Sequence, residues 1–234
     1  MKDDLDLDLI LVITHQLKAP LATNKWSLQE FIEGNYGSIT PQQRESLSDI
    51  YKNNERAIKL IDSIFNIKNK ESHEIKLNKI EVDIRKLIEE VVDDYNTEAI
   101  KRKINITFNY PQGRLSPLSI DYDKMRYVFE NIIENALRYT RNGGMIKVIV
   151  SENKESIIIE VEDNGIGIPS AEQNNIFTKF FRASNAAKIT SEGTGFGLFI
   201  SKNIVERHGG KIRFESKENQ GTTFQIALPL DKIL

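Results

Sequence analysis

The sequence predicts a multidomain chain, with an all-α helical hairpin at residues 1–70, a linker at 71–78 and an α+β domain at 79–234. Three observations support this division. Apolar residues recur at helical spacing through the first 65 residues, and a polar stretch with little periodicity follows. Strand and helix patterns then mix without alternating one for one, which favours an antiparallel or mixed sheet with helices on one face.

The composition is that of an ordinary globular protein and narrows the function classes. The chain is 39% hydrophobic, with a net charge of -2 and mixed acidic and basic residues, so a nucleic-acid surface with a concentrated basic patch is not expected. There is no cysteine, which excludes a disulfide framework and a thiolate metal site. No apolar run approaches the roughly 20 residues of a membrane span. We therefore expect a cytoplasmic chain without membrane contact of its own, or the soluble part of a longer membrane-bound protein.

The first predicted helix carries His15 within the segment 13–21. His15 lies two residues from both Ile13 and Leu17, about 200° around a helix, so it faces water if those two face the core. Pro20 lacks an N–H and is expected to kink the helix just after the histidine. Taken alone, one histidine on a helix is more often a surface or structural residue than a functional one.

The second predicted helix begins with a capping box, with Thr40 as N-cap, Pro41 as first helical residue and Gln43 completing the box. One face of this helix follows the 3-4 spacing of a heptad seam, with Asn54 as its polar member: Leu47, Ile50, Asn54, Ala57, Ile61 and Ile64. Two long helices with a short connection predict an antiparallel hairpin, and pairing two copies into a four-helix bundle would bury both apolar stripes. We therefore expect a homodimer. A monomeric hairpin packed on the second domain is the alternative.

The second half of the chain alternates short strand and helix patterns. They predict a strand at 80–83, a helix capped by Asp83 through 99, a strand at 104–110, a helix at about 123–140, a hairpin of strands at 145–151 and 156–161, a helix at about 197–208, and strands at 211–216 and 222–228. His208 ends the last helix before two glycines and is interpreted as structural, in a place that favours a cation.

Two glycine-rich loops suggest a ligand site. In the first, at 163–169, Asp163 follows the strand predicted at 156–161 and can accept from an exocyclic amine, while Gly165 and Gly167 let the backbone approach a flat ligand. The second loop precedes a helix, whose free N–H groups suit a phosphate chain; its residues are Gly193, Thr194, Gly195, Gly197 and Leu198. Neither loop is a dinucleotide fingerprint or a P-loop. Plain glycine-rich turns are the alternative.

A polar helical face completes the pattern. Asn131, Asn135, Arg138 and Tyr139 are spaced i, i+4, i+7 and i+8 and share one face of the predicted helix. Asparagine supplies a neutral oxygen to a hard cation that keeps waters and phosphate oxygens as its other ligands. Facing a phosphate-binding loop, such a stripe suits Mg²⁺ and a triphosphate; otherwise it is simply a solvated face.

Five segments in this order resemble the motif boxes of the sensor histidine kinases. They are the N box at 131–140, the G1 box at 163–169, the F box at 177–182, the G2 box at 193–198 and the last glycine motif at 221–224. Residues 15–21 resemble the H box, and the capped second helix resembles the dimerisation hairpin of that family. The resemblance covers nearly the whole chain.

The resemblance implies a Bergerat-fold α/β sandwich that binds ATP and Mg²⁺, preceded by a dimeric helical bundle that presents His15 as phospho-acceptor. Asp163 would bind the adenine amine and Asn135 the Mg²⁺. The nucleotide site would be completed by Asn131, Arg138, Tyr139, Gly165, Gly167, Gly193, Thr194, Gly195, Gly197, Leu198 and Thr222. Arg182 would reach the γ-phosphate from a mobile lid at about 183–192. The phosphoryl group would pass to an aspartate of a response-regulator receiver domain.

The chain departs from the family pattern beside the histidine. Gln16 stands where an acid usually orients the imidazole and takes its proton, and Ala19 stands where Thr or Asn usually supports phosphatase activity. Arg138 replaces a common Lys and keeps the charge. ATP-hydrolysing relatives of the same fold carry a water-activating Glu at the position of Asn131, which disfavours an ATP hydrolase. A catalytically quiet, nucleotide-binding dimeric scaffold is the second alternative.

Overall fold

The computed structural model describes residues 2–68, 77–113, 115–190 and 193–230; the side chains of 2–16, 56, 59, 60 and 62–68 are not part of that description. The chain divides into two compact units, Met1–Lys76 and Leu77–Leu234. Most of the predicted linker lies outside the described residues. In the described part of the chain, no helix combines the length and apolar composition needed to cross a membrane.

The first unit consists of two long helices, α1 (Lys2–Glu33) and α2 (Pro41–Lys68). α1 continues through Pro20. The capping box predicted for α2 is present: the Thr40 N–H donates to Gln43 Oε1 at 2.9 Å, and the Gln43 N–H donates to Thr40 Oγ1 at 3.2 Å. These two bonds satisfy backbone donors that a helix start leaves without partners and fix the first residue of α2.

The two helices run antiparallel along each other. Near one end the Arg44 guanidinium donates to the Ile32 carbonyl, and further along the buried Asn54 donates its amide to the Leu21 carbonyl at 2.8 Å. The residue numbers rise on one helix as they fall on the other, which gives the antiparallel direction. A buried amide with one specific backbone acceptor favours a single register between the helices.

The described residues of the second unit form three long helices, a short one, and seven strands. In order these are β1 (Lys79–Val82), α3 (Ile84–Lys101), β2 (Asn105–Asn109), β3 (Leu118–Asp121), α4 (Tyr122–Tyr139), β4 (Met145–Glu152), β5 (Ser156–Asp163), a 3-10 turn (Ser170–Asn175), α5 (Ser184–Ile189), α6 (Gly197–Arg207), β6 (Lys211–Lys217) and β7 (Gly221–Pro229). Asp83 caps α3 as predicted, because its side chain accepts from the Arg85 N–H.

Five strands form one mixed sheet in the order β2-β4-β5-β7-β6, in which only the β2–β4 pair is parallel. The predicted mixed sheet with helices is confirmed. β1 and β3 form a separate two-stranded antiparallel ribbon. The sequence patterns do not predict β3, in which Ile120 pairs with Ile80 forty residues away. A four-residue strand gives too short an alternation to predict such a distant partner.

The core lies between one face of the sheet and helices α3, α4 and α6. Every second residue of β5 is buried, and three of these are aliphatic: Ile157, Ile159 and Val161. The fourth residue in this buried row is Asp163, at the strand end and opposite Thr222 of β7. The alternation that builds the core therefore also places a carboxylate at the edge of the sheet.

His208 ties the end of α6 to the β1–β3 ribbon. The ring is buried, its Nδ1 lies 2.8 Å from the Ile204 carbonyl oxygen, and its Nε2 accepts from the Asp121 N–H at 3.0 Å. Because Nε2 must accept and Nδ1 must donate, the ring is neutral. Burial lowers the pKa of His208, so this residue is structural but is not the cation that its helix-end position suggests.

We expect His208 to make stability depend on pH. Its pKa is lower in the folded state, so its contribution is complete above the ordinary pKa of about 6.5 and is lost as pH falls through the folded-state value. Replacing His208 by Leu leaves the Asp121 N–H unsatisfied, which costs about 1–3 kcal/mol. Urea unfolding at pH 7.5 and pH 5.0 measures this. The deficit of the variant should shrink at pH 5.0, and an equal deficit at both pH values would contradict a neutral ring.

Candidate functional site

The residues predicted to bind a ligand come together where β5 ends, at the C-terminal half of α4 and the N-terminus of α6. Close approaches between segments mark this meeting point. A Cβ on Gly165 would meet the Tyr139 backbone, a Cβ on Gly197 would meet Asn131, and a Cβ on Gly193 would lie 3.2 Å from Arg138 Nη1. Residues about 30 to 70 positions apart in the chain thus form one site.

Asp163 is the buried acid of this site. Its carboxylate accepts from the Gly165 N–H at 2.8 Å and from the Thr222 N–H. Burial raises the pKa of Asp163 to about 6, because desolvation outweighs the two backbone N–H groups that favour the charged form. Near pH 7 the group is therefore ionised in most molecules and presents a strong acceptor at the edge of the sheet.

The glycines of the first loop are required by the protein's own backbone. A Cβ on Gly165 would lie 2.4 Å from the Tyr139 carbonyl oxygen. Gly167, at φ +60°, would place a Cβ 2.1 Å from the Lys217 carbonyl oxygen. Both glycines are expected from the sequence to let a ligand approach, whereas the described contacts are between backbone segments. Tyr139 holds the loop through its backbone, since its carbonyl accepts from the Ile166 N–H at 3.2 Å.

The two asparagines of the polar face are linked to each other, and Asn131 is held by α6. Asn131 donates its amide to Ser201 Oγ at 2.9 Å, and the Asn135 amide points to Asn131 Oδ1 at 3.5 Å. Gly197 allows this approach, since a Cβ there would lie 2.1 Å from Asn131 Oδ1. Sequence reasoning missed Ser201, which is fully buried. The i, i+4 spacing of Gly197 and Ser201, which places both on one face of α6, was the available signal.

Two arginines meet at the second glycine loop. The Cβ position of Gly193 lies 3.2 Å from Arg138 Nη1 and 3.7 Å from Arg182 Nε. Arg138 also pairs with Glu134 at 2.7 Å, and Arg182 donates to the Thr190 carbonyl at 2.6 Å. Two guanidinium groups beside a glycine loop form a site suited to phosphate oxygens.

The same loop leads directly into α6. Gly195, at φ +69°, would place a Cβ 2.6 Å from the Phe180 backbone, so the loop lies tightly against the preceding segment. Thr194 Oγ1 accepts from the Phe196 N–H at 3.3 Å. The helix begins at Gly197 without a side-chain cap, and half-buried Leu198 follows. Uncapped N–H groups at a helix start favour anions.

The segment predicted as a lid contains the short helix α5. It is held by polar contacts: the Ser184 N–H donates to Glu172 at 2.8 Å, and the Asn185 amide donates to the Gly167 carbonyl at 2.9 Å. Ala186 is its buried apolar residue. Ser191 and Glu192, the last two residues of the predicted lid, lie outside the described residues.

The donor set fits a hard cation bound together with a phosphate. Among the described residues, no group of three His, Asp or Glu side chains could hold a metal ion by itself. The Asn135 amide nitrogen points to Asn131, which leaves the Asn135 carbonyl oxygen as the kind of neutral ligand that Mg²⁺ accepts. Phosphate oxygens and waters would have to supply the remaining ligands.

The predicted phospho-acceptor lies in the first unit. His15 and Gln16 are part of helix α1, and their side chains are outside the described residues. Ala19, one turn further along, is exposed. Their proposed roles stay predictions.

Comparison with known proteins identifies the second unit. Residues 120–232 match the family described as histidine kinase-, DNA gyrase B-, and HSP90-like ATPase. The chain is 31% identical over 227 residues to the sensor protein SrrB of Staphylococcus aureus, a match that covers 97% of this chain and 38% of SrrB. The chain thus spans well under half the length of that curated relative.

Two solved structures show the same fold. The catalytic domain of the histidine kinase ThkA aligns with a TM-score of 0.57 and 28% identity over 65% of this chain and 97% of that one. Full-length ShkA in complex with AMPPNP aligns with a TM-score of 0.69 and 20% identity over 95% of this chain and 45% of that one. Together with the match to SrrB and the site geometry, these similarities identify the chain as carrying the ATP-binding core of the sensor histidine kinases.

Proposed function

We propose that the chain is the kinase core of a cytoplasmic signalling unit, which transfers the γ-phosphoryl group of ATP to His15 and then to an aspartate of a response-regulator receiver domain. The observation that carries this proposal is the convergence of Asp163, the paired asparagines and two arginines around two glycine loops in a histidine-kinase-type ATPase domain. ATP matches such a site, because its adenine amine can donate a hydrogen bond to the carboxylate and its phosphates carry the negative charge that the two arginines attract.

The nucleotide would lie with its base at Asp163 and its phosphates at the start of α6. The Asp163 carboxylate accepts from the exocyclic amine of adenine, with Thr222 beside it. Backbone N–H groups donate to the phosphate chain, and they come from the second glycine loop and the first turn of α6: Gly193, Thr194, Gly195, Gly197 and Leu198. Arg138 and Arg182 neutralise the phosphates, with Arg182 at the γ-phosphate.

Asn135 would hold the Mg²⁺ through its carbonyl oxygen, oriented by the Asn131–Ser201 hydrogen bond. When bound, the ion neutralises phosphate charge. The protein's contribution is positioning: Asn131 fixes the amide of Asn135, and the two arginines place cationic donors on the same side of the glycine loop. Most of the rate enhancement in phosphoryl transfer comes from such positioning and charge stabilisation.

In the chemical step, a nitrogen of the neutral His15 ring attacks the γ-phosphorus in line. The N–P bond forms as the bond from phosphorus to the β,γ-bridging oxygen breaks, and ADP leaves. The ring proton goes to solvent. Gln16 can orient the imidazole by accepting a hydrogen bond through its amide oxygen, but it cannot take the proton near pH 7.

The kinase core is proposed to work as a homodimer. The large apolar side chains exposed on the described part of the first unit include Leu17, Trp26 and Ile50. A second hairpin would cover such side chains in a four-helix bundle.

Incubation with γ-labelled ATP and Mg²⁺ tests the proposal against its alternative, the catalytically quiet scaffold. Acid-labile label on the protein supports the kinase. Nucleotide binding without label or released phosphate would support the scaffold, and free phosphate without label would indicate an ATP hydrolase. The absence of any nucleotide binding would contradict all three functions.

Replacing Gln16 by Glu is expected to accelerate autophosphorylation. A carboxylate beside the histidine can both orient the ring and accept its proton, which an amide cannot. General-base assistance of even modest strength raises the rate about 10-fold or more. Single-turnover labelling measures the rate, with Gln29→Glu on the same helix as a control for added charge. An unchanged rate would contradict this account of Gln16.

Ala19 is expected to make the phosphatase activity weak. Its side chain has no polar atom with which to orient a water for attack on a phospho-aspartate. Ala19→Thr should therefore speed dephosphorylation of a phosphorylated receiver domain, by about 10-fold on the scale of one positioned polar group. The half-life of the labelled receiver measures this. Rapid dephosphorylation by the unmodified chain would contradict the prediction.

A further inference from the structure

The hydroxyl group of Ser216, near the end of β6, contacts three polar groups from two segments. Its Oγ accepts from the Ile168 N–H at 2.9 Å in the first glycine loop. It lies 3.0 Å from the Gly221 carbonyl oxygen and 2.8 Å from Thr222 Oγ1. Ser216 thus links the glycine loop at the base site to the start of β7.

A count of protons assigns a direction to each bond. A serine hydroxyl has one proton and two lone pairs. One lone pair is used by the Ile168 N–H, and the Gly221 carbonyl oxygen can only accept, so it takes the proton of Ser216. The remaining contact is satisfied only if Thr222 donates its hydroxyl proton to the second lone pair of Ser216. The opposite assignment would leave the Ser216 and Gly221 oxygen atoms 3.0 Å apart without a proton between them.

Because the Thr222 hydroxyl donates its proton to Ser216, its oxygen can only accept further hydrogen bonds. Thr222 lies opposite Asp163 in the β5–β7 pairing, its backbone N–H donates to the Asp163 carboxylate, and both side chains are buried. This end of the β5–β7 pair therefore presents a carboxylate and a hydroxyl oxygen that both accept hydrogen bonds. Such a pair complements an amino group, which donates, and disfavours a carbonyl group, which needs a donor.

We propose that Ser216 is a positioning residue that fixes the Thr222 hydroxyl as an acceptor and thereby makes the base site select a 6-amino purine over a 6-oxo purine. The inference rests on the proposed nucleotide site. It assigns base selectivity to a side chain that does not itself touch the base.

Dissociation constants for ATP and inosine triphosphate test this proposal. Inosine triphosphate differs from ATP in its 6-oxo group and the accompanying N1–H. In Ser216→Ala the proton of Thr222 is released and can be donated to the 6-oxo group. The preference for ATP is expected to fall about 10-fold, the factor that one neutral hydrogen bond supplies, and to do so through tighter binding of inosine triphosphate.

Three further variants separate this effect from a structural one. Ser216→Thr keeps the hydroxyl and should therefore retain the preference for ATP that the unmodified chain shows. Thr222→Val removes the acceptor and should weaken ATP binding while leaving inosine triphosphate within about twofold, and this variant tests the bond direction even if Ser216→Ala does not fold. Thr223→Val, one residue along the strand with its side chain on the other face, is the matched control.

Two results would overturn the proposal. The first is an unchanged ratio of the two dissociation constants in a folded Ser216→Ala protein that binds ATP. The second is a Thr222→Val protein that loses affinity for inosine triphosphate, because Thr222 would then be a donor in the unmodified protein. Failure of the unmodified chain to bind ATP is a different result, which overturns the proposed nucleotide function itself.

Discussion

Replacing His15 by Gln is expected to reduce acid-labile label on the chain to background, while the second unit still binds ATP. The proposed chemistry requires a nucleophilic ring nitrogen at this position, and a glutamine amide is not a nucleophile toward phosphorus. The effect should be complete rather than partial, because the proposal assigns the acceptor role to His15 alone. Labelling with γ-labelled ATP, with the phosphoryl linkage identified by its acid lability and alkali stability, measures it.

The other two histidines supply the controls for this experiment. His73 falls in the predicted linker, outside the described residues, and His73→Gln should retain the label. His208 is buried with both ring nitrogens occupied, so it has no nitrogen to offer a phosphoryl group. Label that persists in His15→Gln and disappears in His73→Gln would move the acceptor into the linker and contradict the proposal.

Replacing Asp163 by Asn is expected to weaken ATP binding by on the order of 10- to 100-fold, the range for a hydrogen bond to a charged group. The amide keeps an oxygen for the Gly165 and Thr222 N–H groups, so the fold should survive. The loss of the charged acceptor falls on the adenine amine. Titration calorimetry with ATP and ADP measures it, and Glu162→Gln, on the neighbouring position of β5, is the matched control.

The same substitution should change how stability depends on pH. The pKa of Asp163 is raised in the folded protein to about 6 from 3.8. Its contribution is therefore complete below the unfolded-state pKa and is lost as pH rises through about 6, by up to about 1.4 kcal/mol for each pH unit between the two pKa values. Asp163→Asn should thus gain relative stability between about pH 4 and pH 7 in urea unfolding. A difference that does not vary with pH would contradict a buried carboxyl group with a raised pKa.

ATP affinity in the unmodified chain should show the opposite trend. Only the ionised carboxylate is a full acceptor for the adenine amine, so the affinity should fall as pH decreases below about 6. In Asp163→Asn this pH dependence should be absent. The two measurements together separate the role of the charge in binding from its effect on folding.

The long elements and the loop positions could be predicted because their causes are local. The capping box of Thr40 and Gln43 and the cap at Asp83 each involve residues two or three apart. The position of Asp163 followed from the strand predicted before it and from the glycines after it. Short-range hydrogen bonding and period-two burial are properties that a single sequence contains.

The remaining features depend on residues far apart in the chain. The β1–β3 ribbon joins strands about 40 residues apart, Ser201 reaches Asn131 across 70, and Ser216 reaches Ile168 across 48. No local pattern encodes such pairs. The charge state of His208 has the same kind of cause: the residue is structural, as interpreted from the sequence, but the distant Asp121 N–H at its ring requires a neutral acceptor.

The close backbone approaches of the first glycine loop divide the site into a part that tolerates mutation and a part that does not. A Cβ at Gly165, Gly167 or Gly221 would lie 2.4 Å or less from a backbone oxygen of another segment. Any side chain introduced at these three positions must deform main chain, so the proposed adenine site tolerates almost no substitution of its glycines. Divergence in nucleotide affinity among descendants of this domain would therefore accumulate around Arg138 and Arg182, whose side chains approach the second glycine loop at Gly193.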